Sequence, residues 1–300
     1  MSLSTYKEGQ RYIIPTSDWG FKHLFATERN KDLLIGLLNK LIDDRNIVDL
    51  EYIDREIPFI LPHEHKTLRF DVFCKCDDGS QVIVEMQYSA RPNFIDRALV
   101  YISAAVLQGY KVNRETKKYE VSRTYLIAIT GDTIFPDVKH APVRIALCDA
   151  DVEHTCIMND KVLQIFIELP KFASELKALK ADDSFLDKFA VALKTMNDCE
   201  ERPEEMDDDL LVRIYNAADT LRFTSQERKN YKQNIMNSLE IEATMYDFRE
   251  EGLNEGLKKG LKEGREESAL AIATKMKALG ISLDVIVSCT GLDAGTVAKL

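Results

Sequence analysis

The sequence predicts an α/β fold, a mixed sheet flanked by helices, with an α-helical C-terminal region. Three observations carry this expectation. Apolar residues recur at helical spacing between positions 18 and 41 and again between 93 and 112. Short strand-like runs lie between and after them, at 48–58, 67–76, 81–89, 125–130 and 162–169. From about Ala173 onward the patterns are helical. Helices interleaved with strands mark a mixed α/β domain. The chain of 300 residues exceeds the usual single-domain size, and divisions are expected at 1–172, 173–249 and 250–300.

Thr16-Ser17-Asp18 offers the short polar side chains that satisfy free amides at a helix N-terminus, and Phe21, Leu24 and Phe25 follow at helical spacing. Lys31 to Leu41 repeats the pattern through Leu34, Leu37, Leu38 and Leu41. Strands are expected at Val48–Pro58, Thr67–Cys76 and Gln81–Ser89, the last two joined by Asp77-Asp78-Gly79, a strong hairpin signal. Asn93 to Val112 reads as a helix with Ile95, Leu99, Ile102, Val106 and Tyr110 on one side. Tyr125–Thr130 and Val162–Leu169 suit buried strands, and the α/β part ends near Phe172. Ser184–Asn197 and Leu210–Leu221 are expected helices, separated by an acidic segment containing Pro203, and Lys229–Arg249 is a third.

The last fifty positions differ. Gly252, Gly256, Gly260 and Gly264 recur every four residues, which places them on one drifting helical ridge. Each costs about 1 kcal/mol of helix propensity relative to Ala. Two readings stay open: close helix–helix approach in a homo-oligomer, or a frayed charged linker. Ala269–Leu279, Leu283–Cys289 and Ala294–Leu300 then give helices separated by Gly280 and Gly291, a helix-turn-helix layout. Its second helix holds one basic residue, Lys299, so base reading by it is poorly supported.

A net charge of −10 argues against coating nucleic acid by bulk attraction but leaves room for a local basic groove. Arg91, Arg97, Lys111, Arg114, Lys117, Lys118 and Arg123 are the candidates for it, a solvated helix end being the plainer account. The six cysteines show no zinc-site spacing. Cys74 and Cys76, two apart in a strand-like run, read as reduced packing residues. His63 and His65 flank Glu64, where a polar loop is preferred to a metal site, and His23 is expected on the first helix's surface or at the core edge. No stretch approaches the twenty or so apolar residues of a membrane span, so a cytoplasmic protein without membrane contact is expected.

The chemistry-bearing segment is Phe70-Asp71-Val72-Phe73 followed by Val82-Ile83-Val84-Glu85-Met86-Gln87. Carboxylates are rarely buried without a partner or metal, so Asp71 and Glu85 stand out in these apolar strands. A three-residue loop with left-handed Gly79 would pair Cys76 with Ser80 and set Asp71 opposite Glu85, with Gln87 on the same face. A two-residue loop would send the carboxylates to opposite faces. On one face, Asp71, Glu85 and the carbonyl of Met86 suit a hard cation such as Mg²⁺ or Mn²⁺. The plain alternative is a solvated acidic pair bridged by Arg97.

An Asp, a turn of this length and Glu-x-Gln in an apolar strand before a helix resemble the PD-(D/E)XK nuclease superfamily. More narrowly, Asp18-Trp19-Gly20-Phe21-Lys22-His23-Leu24-Phe25 and Arg97-Ala98-Leu99-Val100-Tyr101-Ile102-Ser103 resemble two helices of the Rpn-type recombination-promoting nucleases and putative transposases. The Glu-Gly-Leu repeats and the terminal Leu-Gly-Ile-Ser segment are similar to that family's tail. The resemblance implies a restriction-endonuclease-like fold and a Mg²⁺-dependent DNA endonuclease of recombination, transposon mobility or defence. It implies metal ligation by Asp71 and Glu85, Gln87 at the usual Lys position, and Asp18 as an accessory acid, though Asp18 also suits a helix start. Gln cannot transfer a proton as Lys can, and Lys22 is a candidate substitute cation. Arg97 and Arg114 are the expected DNA-backbone contacts. The alternative is a catalytically inactive, nuclease-derived DNA-binding or assembly module.

Overall fold

The computed structural model describes residues 6–61, 64–89, 93–149, 157–180 and 182–300. Two compact units divide between Asn237 and Ser238. The first opens with α1 (Asp18–Phe25), capped by Ser17, whose side chain accepts the N–H of Gly20. Next comes α2 (Lys31–Leu41), which buries Leu34, Leu37, Leu38 and Leu41. Four strands follow: β1 (Leu50–Tyr52), β2 (Glu56–Leu61), β3 (Glu64–Arg69) and β4 (Val72–Cys76). The runs expected as two long strands are thus each broken once. Beyond β5 (Gln81–Gln87) lies α3 (Phe94–Gly109), shorter than expected because Tyr110–Val112 forms β6 and pairs with β7 (Tyr119–Val121). The unit continues with β8 (Thr124–Thr130), β9 (Val143–Cys148), β10 (Ile157–Glu168), α4 (Phe185–Thr195) and α5 (Asp209–Ala218).

The main sheet has the order β1-β4-β5-β8-β10-β9, with β5, β8 and β10 parallel and the remaining pairs antiparallel. Both faces are covered, as a partly parallel sheet requires. On one, Phe73, Ile83, Leu126, Ala128 and Phe166 pack against Ala98, Ile102 and Ala105 of α3, the crossover between β5 and β8. Side chains of opposite parity, among them Val82, Val84, Ile127, Ile129 and Ile165, are equally buried toward α1, α2, α4 and α5. Tyr125 reaches Asp44 and Arg45, just beyond α2, from that face, and Phe25 of α1 meets Phe189 of α4. This is a mixed sheet flanked by helices, the restriction-endonuclease-like arrangement.

The segment that begins in the first unit as α6 (Ser225–Ala278) is one helix of 54 residues. It runs without a break through all four periodic glycines. A Cβ added at any of them would meet nothing within 4 Å. In the second unit, Ala273 near the end of α6 packs with Ile286 of α7 (Leu283–Thr290) and Val297 of α8 (Ala294–Lys299). Gly291 closes α7 in the left-handed conformation. No helix among the described residues is long and apolar enough to cross a membrane.

Candidate functional site

The turn between β4 and β5 sets the register. Gly79 takes a φ of 81°, its N–H donates to the Cys76 carbonyl at 2.9 Å, and the Cys76 N–H donates to the Ser80 carbonyl at 2.8 Å. Asp78 Oδ1 accepts the Ser80 N–H and hydroxyl, which stiffens the turn. A three-residue loop results, with Val72 opposite Val84, Phe73 opposite Ile83 and Cys74 opposite Val82. Continued by one residue, that ladder brings Asp71 beside Glu85.

Asp71 itself stands just outside β4. Tyr52 faces Cys74 in one ladder and Glu56 faces Arg69 in the next, so the register slips by one residue between them. The Ile53 N–H donates to the Phe73 carbonyl and the Phe70 N–H to the Arg55 carbonyl on either side of the slip. Such irregularities re-aim a side chain and free its backbone. Here the Asp71 N–H leaves the ladder and donates to Glu85 Oε1 at 3.1 Å, while Asp71 Oδ2 accepts the Met86 N–H at 2.9 Å.

Charge is concentrated in a small volume. Glu85 is 2% exposed, and burial, with Asp71 adding to it, pushes its carboxyl up to about 8. Burial likewise raises Asp71, helped by Asp18 and opposed by the Met86 N–H, Lys22 and Arg97. Gln87 Nε2 donates to Glu85 Oε2 at 3.2 Å, and Arg97 Nη2 donates to Gln87 Oε1. The Arg97 guanidinium lies over Phe94 and Tyr101, 5.1 and 5.7 Å from the ring centres, which fixes its direction. From α1, Lys22 Nζ sits 2.5 Å from Asp18 Oδ1 and 3.7 Å from Asp71 Oδ1. Two cations therefore flank the carboxylate pair, one from each side of the sheet.

The donor set fits a hard divalent cation. A residue in a strand directs its N–H and C=O to the same edge. Since the Met86 N–H meets Asp71, the Met86 carbonyl leaves on the Asp71 side too. Two carboxylates and a carbonyl are oxygen donors, and Mg²⁺ characteristically takes one or two carboxylates and completes its sphere with water and substrate oxygens. Among the described residues no group of three or more His, Cys, Asp or Glu could hold a metal, and the Asp18 carboxylate engages Lys22. Glu168, in register with Gln87 through Thr130, is spent elsewhere: it accepts the N–H groups of Ile134 and Phe135 and pairs with Lys171. The periodicity of its strand gave no hint of that use.

Other expectations fall out differently. Arg97 turns into the Gln87 network, whereas Arg114 lies exposed in the β6–β7 turn. The helix between them rises about 18 Å from Arg97 to Gly109, which sets the two apart. Asp18 is the first residue of α1, and the cap is Ser17. His23 stacks on Trp19 at 4.6 Å with Nε2 at the Ala217 carbonyl, a core-edge position, and burial lowers its pKa. Cys74 and Cys76 are buried and unbridged. His65 lies in β3, while His63, Arg91 and Cys156 fall outside the described residues.

A family model described as PD-(D/E)XK nuclease family transposase matches residues 15–242, which takes in every residue of this site. No curated protein and no solved structure matches the chain.

Proposed function

We propose that this chain, which belongs to the PD-(D/E)XK nuclease family transposases, is a Mg²⁺-dependent DNA endonuclease acting at Asp71 and Glu85. The observation that carries the proposal is the crossed pair of hydrogen bonds, Asp71 N–H to Glu85 and Met86 N–H to Asp71. It holds two carboxylates together where the interior strands β4 and β5 are otherwise apolar. Asp71, Glu85 and the Met86 carbonyl would hold Mg²⁺, or Mn²⁺ in its place. When bound, the cation supplies Lewis acidity at the phosphodiester and lowers the pKa of the attacking water.

The chain's own groups do the positioning. Gln87 is uncharged and neither gives nor takes a proton near neutral pH, so its amide, aligned by Arg97, orients water and the Glu85 carboxylate. Lys22, steadied by Asp18, places an ammonium beside Asp71, where it offsets negative charge developing on the phosphate. The setting that fits the family is cytoplasmic DNA recombination or transposon mobility. Conversion of supercoiled plasmid to nicked or linear DNA, present with Mg²⁺ and absent with EDTA, is the test.

Gln87 favours a second reading, a binding or assembly module that has lost catalysis, because the site lacks a Lys bonded directly to Glu85. Cation binding by the folded chain without cutting in Mg²⁺ or Mn²⁺ would select it.

A further inference from the structure

The β6–β7 hairpin has no use in the site described above, yet it carries an unusual surface. Tyr110 faces Val121 and Val112 faces Tyr119, so both tyrosines lie on one face. They are 46% and 77% exposed, with ring centres 6.4 Å apart and a 32° tilt. Their cross-strand contact adds only a little to a two-stranded hairpin, and much of the ring surface stays open to solvent. The turn beyond them is well built. The Asn113 N–H donates to the Lys118 carbonyl and the Lys117 N–H to the Asn113 carbonyl, both at 2.9 Å. Asn113 Oδ1 also accepts the N–H groups of Glu115 and Thr116 at 3.0 Å.

Charge follows the same pattern. Lys111, Arg114, Lys117 and Lys118 crowd this hairpin against Glu115 and Glu120, in a chain whose net charge is −10. Among the described residues none of those four cations is in an ion pair, whereas Lys22, Lys31, Lys40, Arg45, Arg123 and Arg213 each have a carboxylate within 4 Å. Exposed aromatic faces among unpaired cations are what binds unpaired bases and their phosphates. Bases inside a duplex are stacked already and cannot use the rings.

We infer that the β6–β7 hairpin binds single-stranded DNA, with bases stacked on Tyr110 and Tyr119 and phosphates on Arg114, Lys117 and Lys118 at its tip; Lys111 faces Glu120 on the opposite side. The inference rests on the nuclease reading, because it names the strand that reading delivers to Asp71 and Glu85. The rise of α3 between Arg97 and Gly109, about 18 Å, is the span along that helix from the Gln87 network to the start of the hairpin. The hairpin therefore grips the strand at a distance from the cut.

The test is fluorescence anisotropy of the full chain with a labelled single strand and the matched duplex, in EDTA so that nothing is cut. Replacing both tyrosines (Tyr110→Ala with Tyr119→Ala) is expected to weaken single-strand binding about tenfold or more and duplex binding less than about twofold. The paired Tyr→Phe change keeps the rings and should keep the affinity. Lys117→Gln with Lys118→Gln should flatten the single-strand salt dependence by about 0.7 per cation removed. Circular dichroism checks that each variant is folded. Three results would overturn the inference: no single-strand binding by wild type, unchanged binding after the Tyr→Ala changes, or equal losses on single strand and duplex. Plasmid cutting is scored separately. Cutting without single-strand binding removes only the hairpin inference, and binding without cutting removes only the nuclease reading.

Discussion

Asp71 and Glu85, fourteen positions apart in sequence, hold each other in place: the Asp71 N–H donates to Glu85 Oε1 at 3.1 Å, and the next residue, Met86, fixes the Asp71 carboxylate. Neither acid is free to turn away from the other. Both resist ionisation there: burial raises Glu85 to about 8, with Asp71 adding to it, and burial with Asp18 raises Asp71. The pair is relieved by a proton or by a cation, and that alternative links stability, pH and metal.

The first prediction concerns pH. Folded Glu85 keeps its proton up to about 8, whereas an unperturbed glutamate loses it near 4.5. Between those values the folded chain binds more protons than the unfolded one, so this contribution is complete below about 4.5 and is lost as pH rises through about 8. In EDTA, the melting temperature of wild type should fall between about pH 5 and pH 8 more steeply than that of Glu85→Gln. Mg²⁺ should restore wild type at the upper end and leave Glu85→Gln unchanged. Parallel pH profiles for the two proteins would show that Glu85 is not the group responsible.

Arg97 hydrogen-bonds Gln87, and its charge favours the ionised carboxylates of Asp71 and Glu85. Arg97→Ala should therefore lower kcat by about 10-fold to 100-fold while moving KM by less, as expected for a lost orienting contact. Arg97→Lys should recover little, since an ammonium lacks the planar fork that stacks on Phe94 and Tyr101. A rise in KM with kcat unchanged would instead make Arg97 a DNA-backbone contact.

Two glycines should respond oppositely to alanine. The Gly131 N–H donates to the Gln87 carbonyl at 2.9 Å, and a Cβ there would collide with the Tyr88 carbonyl. Gly131→Ala should destabilise the first unit by roughly 2 kcal/mol or more in urea unfolding and disturb Gln87. Gly256, inside α6 with open space around it, should tolerate the change and gain up to about 1 kcal/mol of helix stability. A loss of stability or of self-association at Gly256→Ala would mean that a second helix uses the ridge.

Much of the site was legible in the sequence because short-range rules govern it. Asp77-Asp78-Gly79 specifies its turn through one left-handed glycine, and that turn specifies the β4–β5 register. Leucines at helical spacing marked α2 with the bounds it has. The register slip at Phe70–Asp71 was hidden, since an apolar run reads straight through a bulge whose cause is pairing with a distant strand. The tip at Asn113–Lys118 carries no Asn-Gly or Asp-Gly pair, so β6 and β7 looked like a helix end and its basic flank. In α6, four glycines left a close-packed helical ridge and a frayed linker both open, and the helix-forming Leu, Lys and Glu residues between them sustain an unbroken helix. Arg97 and Arg114 were grouped by sequence proximity, and the direction of α3 separates them.

The most direct measurement is Mg²⁺-dependent cleavage of supercoiled plasmid by wild type, Asp71→Asn and Glu85→Gln, all shown to be folded. Losing a metal ligand at a site with only two carboxylates should reduce the rate at least about 100-fold in each variant, and EDTA should abolish cutting by wild type. Cutting that persists at the wild-type rate in either variant would contradict the assignment of the Asp71–Glu85 pair as the catalytic centre.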